Sequence, residues 1–198
     1  MTAQIRGIAL GILVMAVVVT ASNVLVQYPF NDWLTWGAFT YPLAFLVTDL
    51  TNRWLGAGAA RRVVVAGFVA AVLLSIGLAG PRIAIASGSA FLVAQLLDVA
   101  AFDRLRAGRW WRAPLVSSTL GSAVDTALFF SLAFAPAFAM LGDDAAWAQA
   151  TVPLLGVGSE APLWVSLMAG DFAVKMGLAL LALIPFRFAI ALVPRRAA

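Results

Sequence analysis

Ionisable side chains lie inside long apolar runs of this 198-residue sequence. Their residue types and their spacing would allow them to form ion pairs or to bind a ligand. Asp125 follows a hydroxyl-rich stretch at 117–122, which forms a polar face if the segment is helical. Asp171 and Lys175 are four residues apart, so a helix places them one turn apart on one face. An ionisable group inside a bilayer costs at least about 2.5–3.5 kcal/mol and usually faces a cavity or a partner. These positions are therefore candidates for a site.

Further polar pairs recur at helical spacing in the same apolar runs. They are Asn23 with Gln27, Asp49 with Arg53, and Gln95 with Asp98. Trp36 and Tyr41 follow the first of these pairs. Carboxamides that pair with heteroatoms, beside aromatic rings that stack, suit a flat polar heterocycle.

Several of these residues also have a purely structural interpretation. Asp49 and Arg53 predict a local ion pair at a membrane boundary, and Asp98 is placed to pair with an arginine of the loop that follows it. Asp171 and Lys175 neutralise each other if they form an ion pair. Asp125 has no opposite charge within one turn in sequence, and it is therefore the strongest candidate for a ligand-binding role.

The composition restricts the chemistry and indicates a lipid environment. The chain has no cysteine and no histidine, which excludes thiolate nucleophiles, Ser-His and Cys-His pairs and the usual zinc sites. Hydrophobic residues make up 63% of the chain and charged residues 11%, against about 45–50% and 25% in soluble domains. The net charge of +4 does not indicate a nucleic-acid partner, because the basic residues cluster between apolar runs. We expect no cofactor and no bound metal.

The apolar runs predict one all-α integral membrane domain, residues 1–198, with six transmembrane helices. A bilayer core of about 30 Å requires roughly 20 apolar residues per helix. The predicted spans are approximately 7–28, 33–52, 63–80, 83–102, 114–139 and 162–190. Asp125 then lies about 18 Å into the fifth span, near the middle of the bilayer.

The arginines predict which connections face the cytoplasm. Alternate connections hold eleven arginines: Arg6; Arg53, Arg61 and Arg62; Arg104, Arg106, Arg109 and Arg112; Arg187, Arg195 and Arg196. The opposite connections hold Arg82 with four acidic residues, Asp32, Asp143, Asp144 and Glu160. Because positive charge accumulates on the cytoplasmic side, both termini are expected to face inward.

An ordered set of stretches carries a resemblance to a known family. They are T-A-S-N-V-L-V-Q (20–27), W-G-A-F-T-Y-P-L-A-F-L-V-T-D-L-T-N-R (36–53), G-A-A-R-R (58–62), R-I-A-I-A-S (82–87), Q-L-L-D-V-A-A-F-D-R-L-R (95–106), W-W-R-A-P-L-V-S-S-T-L-G-S-A-V-D-T (110–126) and D-F-A-V-K (171–175). The sequence resembles the queuosine precursor transporters, YhhQ-like members of the vitamin uptake transporter group. The resemblance covers most of the chain from 20 to 190.

The resemblance implies a bacterial inner-membrane importer of 7-cyano-7-deazaguanine, 7-aminomethyl-7-deazaguanine or both. The family is similar in helix count and shape to the substrate-binding S-components of energy-coupling-factor transporters. The expected substrate-binding residues are Asn23, Gln27, Trp36, Tyr41, Gln95, Ser118, Asp125, Asp171 and Lys175, and the expected structural or gating ion pairs involve Asp49, Arg53 and Asp98. Asp125 is placed to accept the ring N–H and exocyclic amine of the ligand, the amides to read its carbonyl and ring nitrogen, and the aromatic rings to cover its faces.

The sequence is also compatible with two other functions. A true S-component would bind a different vitamin-like solute and require a separate ATPase module. An intramembrane aspartyl protease would use Asp125 and Asp171, but Lys175 one turn away would hold Asp171 ionised, whereas such a dyad shares a proton. A homo-oligomer and an unidentified energising module are both compatible with the sequence.

Overall fold

The computed structural model describes residues 3–25, 28–31, 34–78, 81–142 and 146–192. Within these ranges the chain forms seven α-helices: α1 (Ala3–Leu25), α2 (Gly37–Thr40), α3 (Leu43–Leu55), α4 (Ala57–Leu78), α5 (Pro81–Leu105), α6 (Arg112–Phe134) and α7 (Leu163–Leu192). Two antiparallel hairpins join them, β1 (Pro29–Asn31) with β2 (Leu34–Thr35) and β3 (Thr151–Pro153) with β4 (Glu160–Pro162). Three short 3-10 segments, Pro136–Leu141, Ala146–Gln149 and Leu154–Gly156, lie between α6 and β4.

Four of the described helices are long and apolar enough to cross a bilayer. They are Ala3–Ser22, Pro81–Leu105, Arg112–Phe134 and Leu163–Leu192. The chain thus has the helices of an all-α membrane protein. α4 has 22 residues, about 33 Å of helix, whereas α3 has 13 residues, about 20 Å, and is too short to cross by itself.

The second predicted span, 33–52, is not one continuous helix. It begins in the β1–β2 hairpin, continues as the single turn α2, and becomes α3 only after Tyr41 and Pro42. Pro42 has no N–H to donate to the preceding turn, and the next amides bond three residues back, Ala44 to Tyr41 and Phe45 to Pro42. The interruption brings Tyr41 to the junction between α2 and α3. The other predicted spans have helical counterparts whose ends differ by one to six residues.

Small side chains allow α5 and α6 to pack closely, and this is the largest helix contact in the described structure. Gly121 of α6 lies under the ring of Phe45 from α3, and a Cβ at this position would approach the ring to 2.6 Å. The same Cβ would lie 3.3 Å from the carbonyl oxygen of Ala94 in α5. Three helices therefore meet at Gly121, directly beside the buried polar residues.

A glycine ends α3, and a buried arginine joins the start of α5 to the end of α6. Gly56 ends α3 with a φ of 87°, a left-handed conformation that glycine adopts without steric cost. At the other face, Arg82 donates to the carbonyls of Leu132 and Ala135 at 2.9 and 2.7 Å. These contacts satisfy carbonyls at the end of α6 that lack partners within the helix. They hold the start of α5 against the end of α6.

Candidate functional site

Lys175 lies at the centre of a buried cluster that joins α6, α7 and the α2–α3 junction. Its Nζ is 2.7 Å from Asp125 Oδ2, 2.5 Å from Asp171 Oδ2 and 3.0 Å from Thr126 Oγ1. An ammonium group has three N–H donors, so these three oxygens can satisfy it completely. Lys175 and Asp125 are each 4% exposed. Such a charged group is tolerated at this depth because its partners are in contact with it.

Tyr41 and Thr126 complete this cluster. The Tyr41 hydroxyl donates to Asp125 Oδ1 at 2.9 Å, and its ring lies 5.3 Å from Lys175 Nζ. The Thr126 hydroxyl accepts from Lys175 and donates to Asp171 Oδ2 at 2.8 Å. We call Tyr41, Asp125, Thr126, Asp171 and Lys175 the central charge cluster. It holds two carboxylates and one ammonium, so when all are ionised its net charge is −1.

A second group of polar side chains lies where α3, α5 and α6 meet. Asp49 accepts from the hydroxyls of Ser117 and Ser118 at 3.2 and 3.3 Å. Asp98 lies beside Asp49 and Ser117. Asp49 is 2% exposed and Asp98 is completely buried. We call Asp49 and Asp98 the carboxyl pair.

Amide side chains tie α3 to α5 next to the carboxyl pair. The Thr48 hydroxyl donates to Gln95 Oε1 at 2.6 Å, and Asn52 Nδ2 donates to the Val99 carbonyl at 3.0 Å. Gln95 therefore lies in a helix contact, with its carbonyl oxygen already bonded. At the end of α3, Arg53 donates to the carbonyl of Arg106 at 2.7 Å. Arg53 thus holds α3 against the segment that follows α5.

A small cavity lies between the two polar groups. Asp49, Ser118 and Lys175 line it, with Pro42 and Phe186 among the apolar walls. Its volume is about 10 Å³, room for about one water molecule. Pockets that bind small organic molecules have roughly 300 Å³ or more. In this conformation the helices are closed around the polar core.

The structure brings some of the predicted site residues together and separates others. Tyr41, Asp125, Asp171 and Lys175 lie in one cluster, and the i,i+4 contact between Asp171 and Lys175 follows the predicted spacing. Ser118 lies outside this cluster, where it contacts Asp49 and lines the cavity.

The remaining predicted residues lie away from the cluster or outside the described structure. Trp36 is 48% exposed and packs edge-on against Phe30, with a tilted contact to Phe39. Asn23 lies on α1, but its side chain is outside the described set, and Gln27 is outside the described residues.

Thr126, Thr48 and Asn52 are polar residues of these contacts that were not predicted from the sequence. For Thr126 a signal was present, because Ser118, Ser122 and Thr126 follow one another at i,i+4 and mark one face of α6. For Thr48 and Asn52 the sequence shows only a polar residue in a helix. Their hydrogen-bond partners lie on α5, which spacing within α3 does not indicate. The contact between Asp125 and Lys175 links residues 50 positions apart, which no local spacing indicates.

The geometry of the central charge cluster suits the binding of a molecule that donates hydrogen bonds. Each carboxylate has about four acceptor positions, and Asp125 uses one for Tyr41 and one for Lys175. It can therefore accept further donors from a bound molecule. No group of three or more metal-ligating side chains occurs within the described ranges.

Comparisons with known proteins identify the family of the chain. The family described as "Putative vitamin uptake transporter" matches residues 35–79 and 75–190, which include both polar groups. The queuosine precursor transporter of Escherichia coli (strain K12) is 40% identical, in an alignment that covers 59% of this chain and 64% of that protein. The probable queuosine precursor transporter of Haemophilus influenzae is also 40% identical, over 59% of this chain and 65% of its own length. The chain thus spans less than two thirds of the length of either relative.

No solved structure matches the chain significantly. The family match covers most of the sequence, and the described helices include four that can cross a bilayer. This chain is therefore a multi-pass membrane protein that belongs to the vitamin uptake transporter family, a family of transporters rather than enzymes.

Proposed function

We propose that this protein takes up queuosine precursors, 7-cyano-7-deazaguanine, 7-aminomethyl-7-deazaguanine or both, across the bacterial inner membrane. The observation that carries the proposal is the central charge cluster, which is buried halfway along α6 and α7. Ionisable residues at this depth usually mark a substrate or ion pathway. The names of the two relatives, queuosine precursor transporter and probable queuosine precursor transporter, supply the substrate class.

Asp125 is the proposed reader of the guanine-like edge of the ligand. That edge presents a ring N–H and an exocyclic amine, and a carboxylate can accept from both. Asp125 Oδ1 and Oδ2 each accept one hydrogen bond in the structure, which leaves further lone pairs available. Tyr41 is proposed to cover a face of the ring system, and its ring lies 5.3 Å from Lys175 Nζ in the same cluster. Asp171 and Lys175 then set the charge around the bound ligand.

The remaining proposed contacts lie around this centre. Ser118 of α6 lines the cavity, and Gln95 of α5 accepts a hydrogen bond from Thr48 of α3. Trp36, with Asn23 and Gln27, is proposed to act at the outer mouth, where a ligand first meets the protein. Because Trp36 is 48% exposed, its role would be to capture the ligand before it reaches the buried cluster.

Binding requires the polar core to open. A cavity of about 10 Å³ does not admit a bicyclic base. The interruption of the helix at Pro42 and the proline inside α7, Pro185, are positions where the walls of the cavity can bend. A closed core that opens to either side is what alternating access requires.

The proposed topology has six spans with both described ends inside. α2 and α3 together would supply the second span, about 28 Å over residues 37–55, and α4 the third. The arginine asymmetry supports this orientation, and a likeness in helix count to S-components follows from it.

Two alternatives make different predictions. An S-component for another vitamin-like solute would bind its ligand in a similar core but would require an ATPase module for uptake. The protease alternative is disfavoured by Lys175, because its ammonium contacts Asp125 and Asp171 and stabilises the charge of both. A proteolytic dyad requires one of the two carboxyl groups to hold a proton.

The test is the uptake of labelled precursor by cells that can neither synthesise it nor import it, with queuosine in tRNA as the readout. We expect expression of the protein to restore queuosine, and Asp125→Asn to reduce it. The matched control is Asp103→Asn, which removes a carboxylate that is 44% exposed and lies outside both polar groups. Restoration that depends on a co-expressed ATPase module would favour the S-component, and no restoration with either precursor would refute the proposal.

A further inference from the structure

The carboxyl pair is a second buried acidic site, separate from the central charge cluster. Asp49 on α3 and Asp98 on α5 lie within hydrogen-bonding reach of each other. Their side chains are 2% and 0% exposed. Both oxygens of Asp98 lack a hydrogen-bond donor among the described residues. An ionised carboxylate buried without donors is unfavourable, and a like charge beside it increases that cost.

Within the described ranges, no ion pair joins Asp49 or Asp98 to a basic side chain. Lys175 of α7 lines the same cavity as Asp49, but its three donors point to Asp125, Asp171 and Thr126. Arg53 of α3 donates to the carbonyl of Arg106. The charged side chains of α1, α4 and the start of α6 are exposed, namely Arg6, Arg61, Arg62 and Arg112.

The two residues of the carboxyl pair differ in the hydrogen bonds that they accept. Ser117 and Ser118 donate to Asp49, so its negative charge is stabilised. Neither oxygen of Asp98 has a hydrogen-bond partner among the described residues, and Ser117, which lies beside both carboxyl groups, has only one hydroxyl proton to donate. A protonated Asp98 also gains a donor, its own O–H, which can be given to the neighbouring carboxylate of Asp49. One proton thus satisfies both residues.

We infer that Asp49 and Asp98 hold one proton between them and that its binding and release couple uptake to the proton gradient. The coupling part of this inference rests on the proposed function. In the protonated state the carboxyl of Asp98 donates to Asp49, and the pair carries one negative charge. When the proton leaves for the cytoplasm, two adjacent carboxylates remain and repel each other. That repulsion separates α3 from α5.

The cavity connects this proton site to the proposed substrate site. Asp49 of the carboxyl pair and Lys175 of the central charge cluster both line it, together with Phe45 and Ser118. Asp49 is on the helix that follows Tyr41, so a shift of α3 displaces the ring that contacts the central charge cluster. A change in the protonation of the carboxyl pair can therefore change the shape of the proposed substrate site.

Infrared difference spectroscopy of the purified protein tests the proton directly. We expect a protonated carboxyl C=O band at neutral pH that disappears in Asp98→Asn and shifts in frequency in Asp49→Asn, because that variant replaces the carboxylate that accepts the shared proton. The second variant keeps the test decisive if the first does not fold. Asp103→Asn, whose carboxylate is 44% exposed on the same helix, should leave the band unchanged. Absence of the band in the wild-type protein, or its loss on addition of sodium, would overturn the inference, the latter in favour of a cation site.

Proteoliposomes test the coupling. With a pH gradient, wild-type protein should accumulate labelled precursor, whereas Asp98→Asn should lose accumulation at least tenfold but retain exchange of labelled for unlabelled precursor. Equal accumulation by the two proteins would overturn the coupling. If the wild-type protein transports no precursor, the proposed function fails, while the infrared band still decides whether the pair holds a proton.

Discussion

At the scale of residues, the main finding is that one lysine serves two carboxylates from two helices. The sequence predicted the contact of Lys175 with Asp171 from their spacing, and the structure adds Asp125 on α6. Asp125 has no cation near it in sequence but has one in space. We therefore propose two roles for Asp125. Its contact with Lys175 joins α6 to α7, and its remaining acceptor positions can bind a ligand.

Replacement of Lys175 tests the shared ion pair. Lys175→Met leaves two buried carboxylates without their cation, and breaking a buried pair typically costs about 3–5 kcal/mol. We expect a large fall in thermal stability, only part of which is recovered when Asp171→Asn is added. Recovery should be greater when Asp125→Asn is added as well. The exposed Arg62→Met is the control. Full recovery with Asp171→Asn alone would show that Asp125 does not depend on Lys175.

Replacement of Asp125 separates ligand reading from folding. Asp125→Asn removes an acceptor but leaves Lys175 paired with Asp171, so the folded yield should change little. A mismatched buried polar group costs about 1–3 kcal/mol, and each 1.4 kcal/mol is a factor of ten. Precursor affinity of the purified protein should therefore weaken about tenfold or more. Unchanged affinity would remove Asp125 from the site, and loss of folded protein would make its role structural.

At the scale of elements, α2, α3 and the hairpin before them depart from the sequence expectation. Hydropathy predicts a continuous span at 33–52, but it does not register that Pro42 interrupts the helix and that the β1–β2 hairpin precedes it. The interruption places Tyr41 against α6 and α7. The close packing of α3, α5 and α6 at Gly121 then holds the two polar groups in register.

Substitution of glycines tests this packing. Gly121→Ala places a methyl group 2.6 Å from Phe45 Cε1, which forces the helices apart, and overpacking of this kind costs about 1–3 kcal/mol. Gly177→Ala on α7 meets nothing within 4 Å and should be neutral or slightly stabilising. Thermal unfolding in detergent compares the two variants. Equal effects would contradict the close approach of α3 to α6.

At the scale of the whole molecule, the sequence predicted the membrane environment and the long helices but not the contacts between them. Apolar runs bounded by arginines are a local signal, so α1, α5, α6 and α7 could be placed within a few residues. The contacts of Asp125 with Lys175 and Thr48 with Gln95 join distant segments. They depend on how helices rotate and pack, which spacing within one helix does not determine.

The proposed topology has its own test. Fusions of a cytoplasm-active reporter after Arg62 and Arg112 should be active, because positively charged connections remain inside. A fusion after Gly142, in the segment that follows α6, should be inactive. Activity at Gly142 would contradict the six-span arrangement.

The most direct measurement is the uptake of labelled 7-cyano- and 7-aminomethyl-7-deazaguanine into proteoliposomes that contain this protein alone. The account predicts saturable uptake of at least one precursor with no ATPase module present. It also predicts strong reduction in Asp125→Asn and wild-type uptake in Asp103→Asn. Binding without uptake would identify a substrate-binding component that requires a separate module, and absence of both binding and uptake would contradict the account.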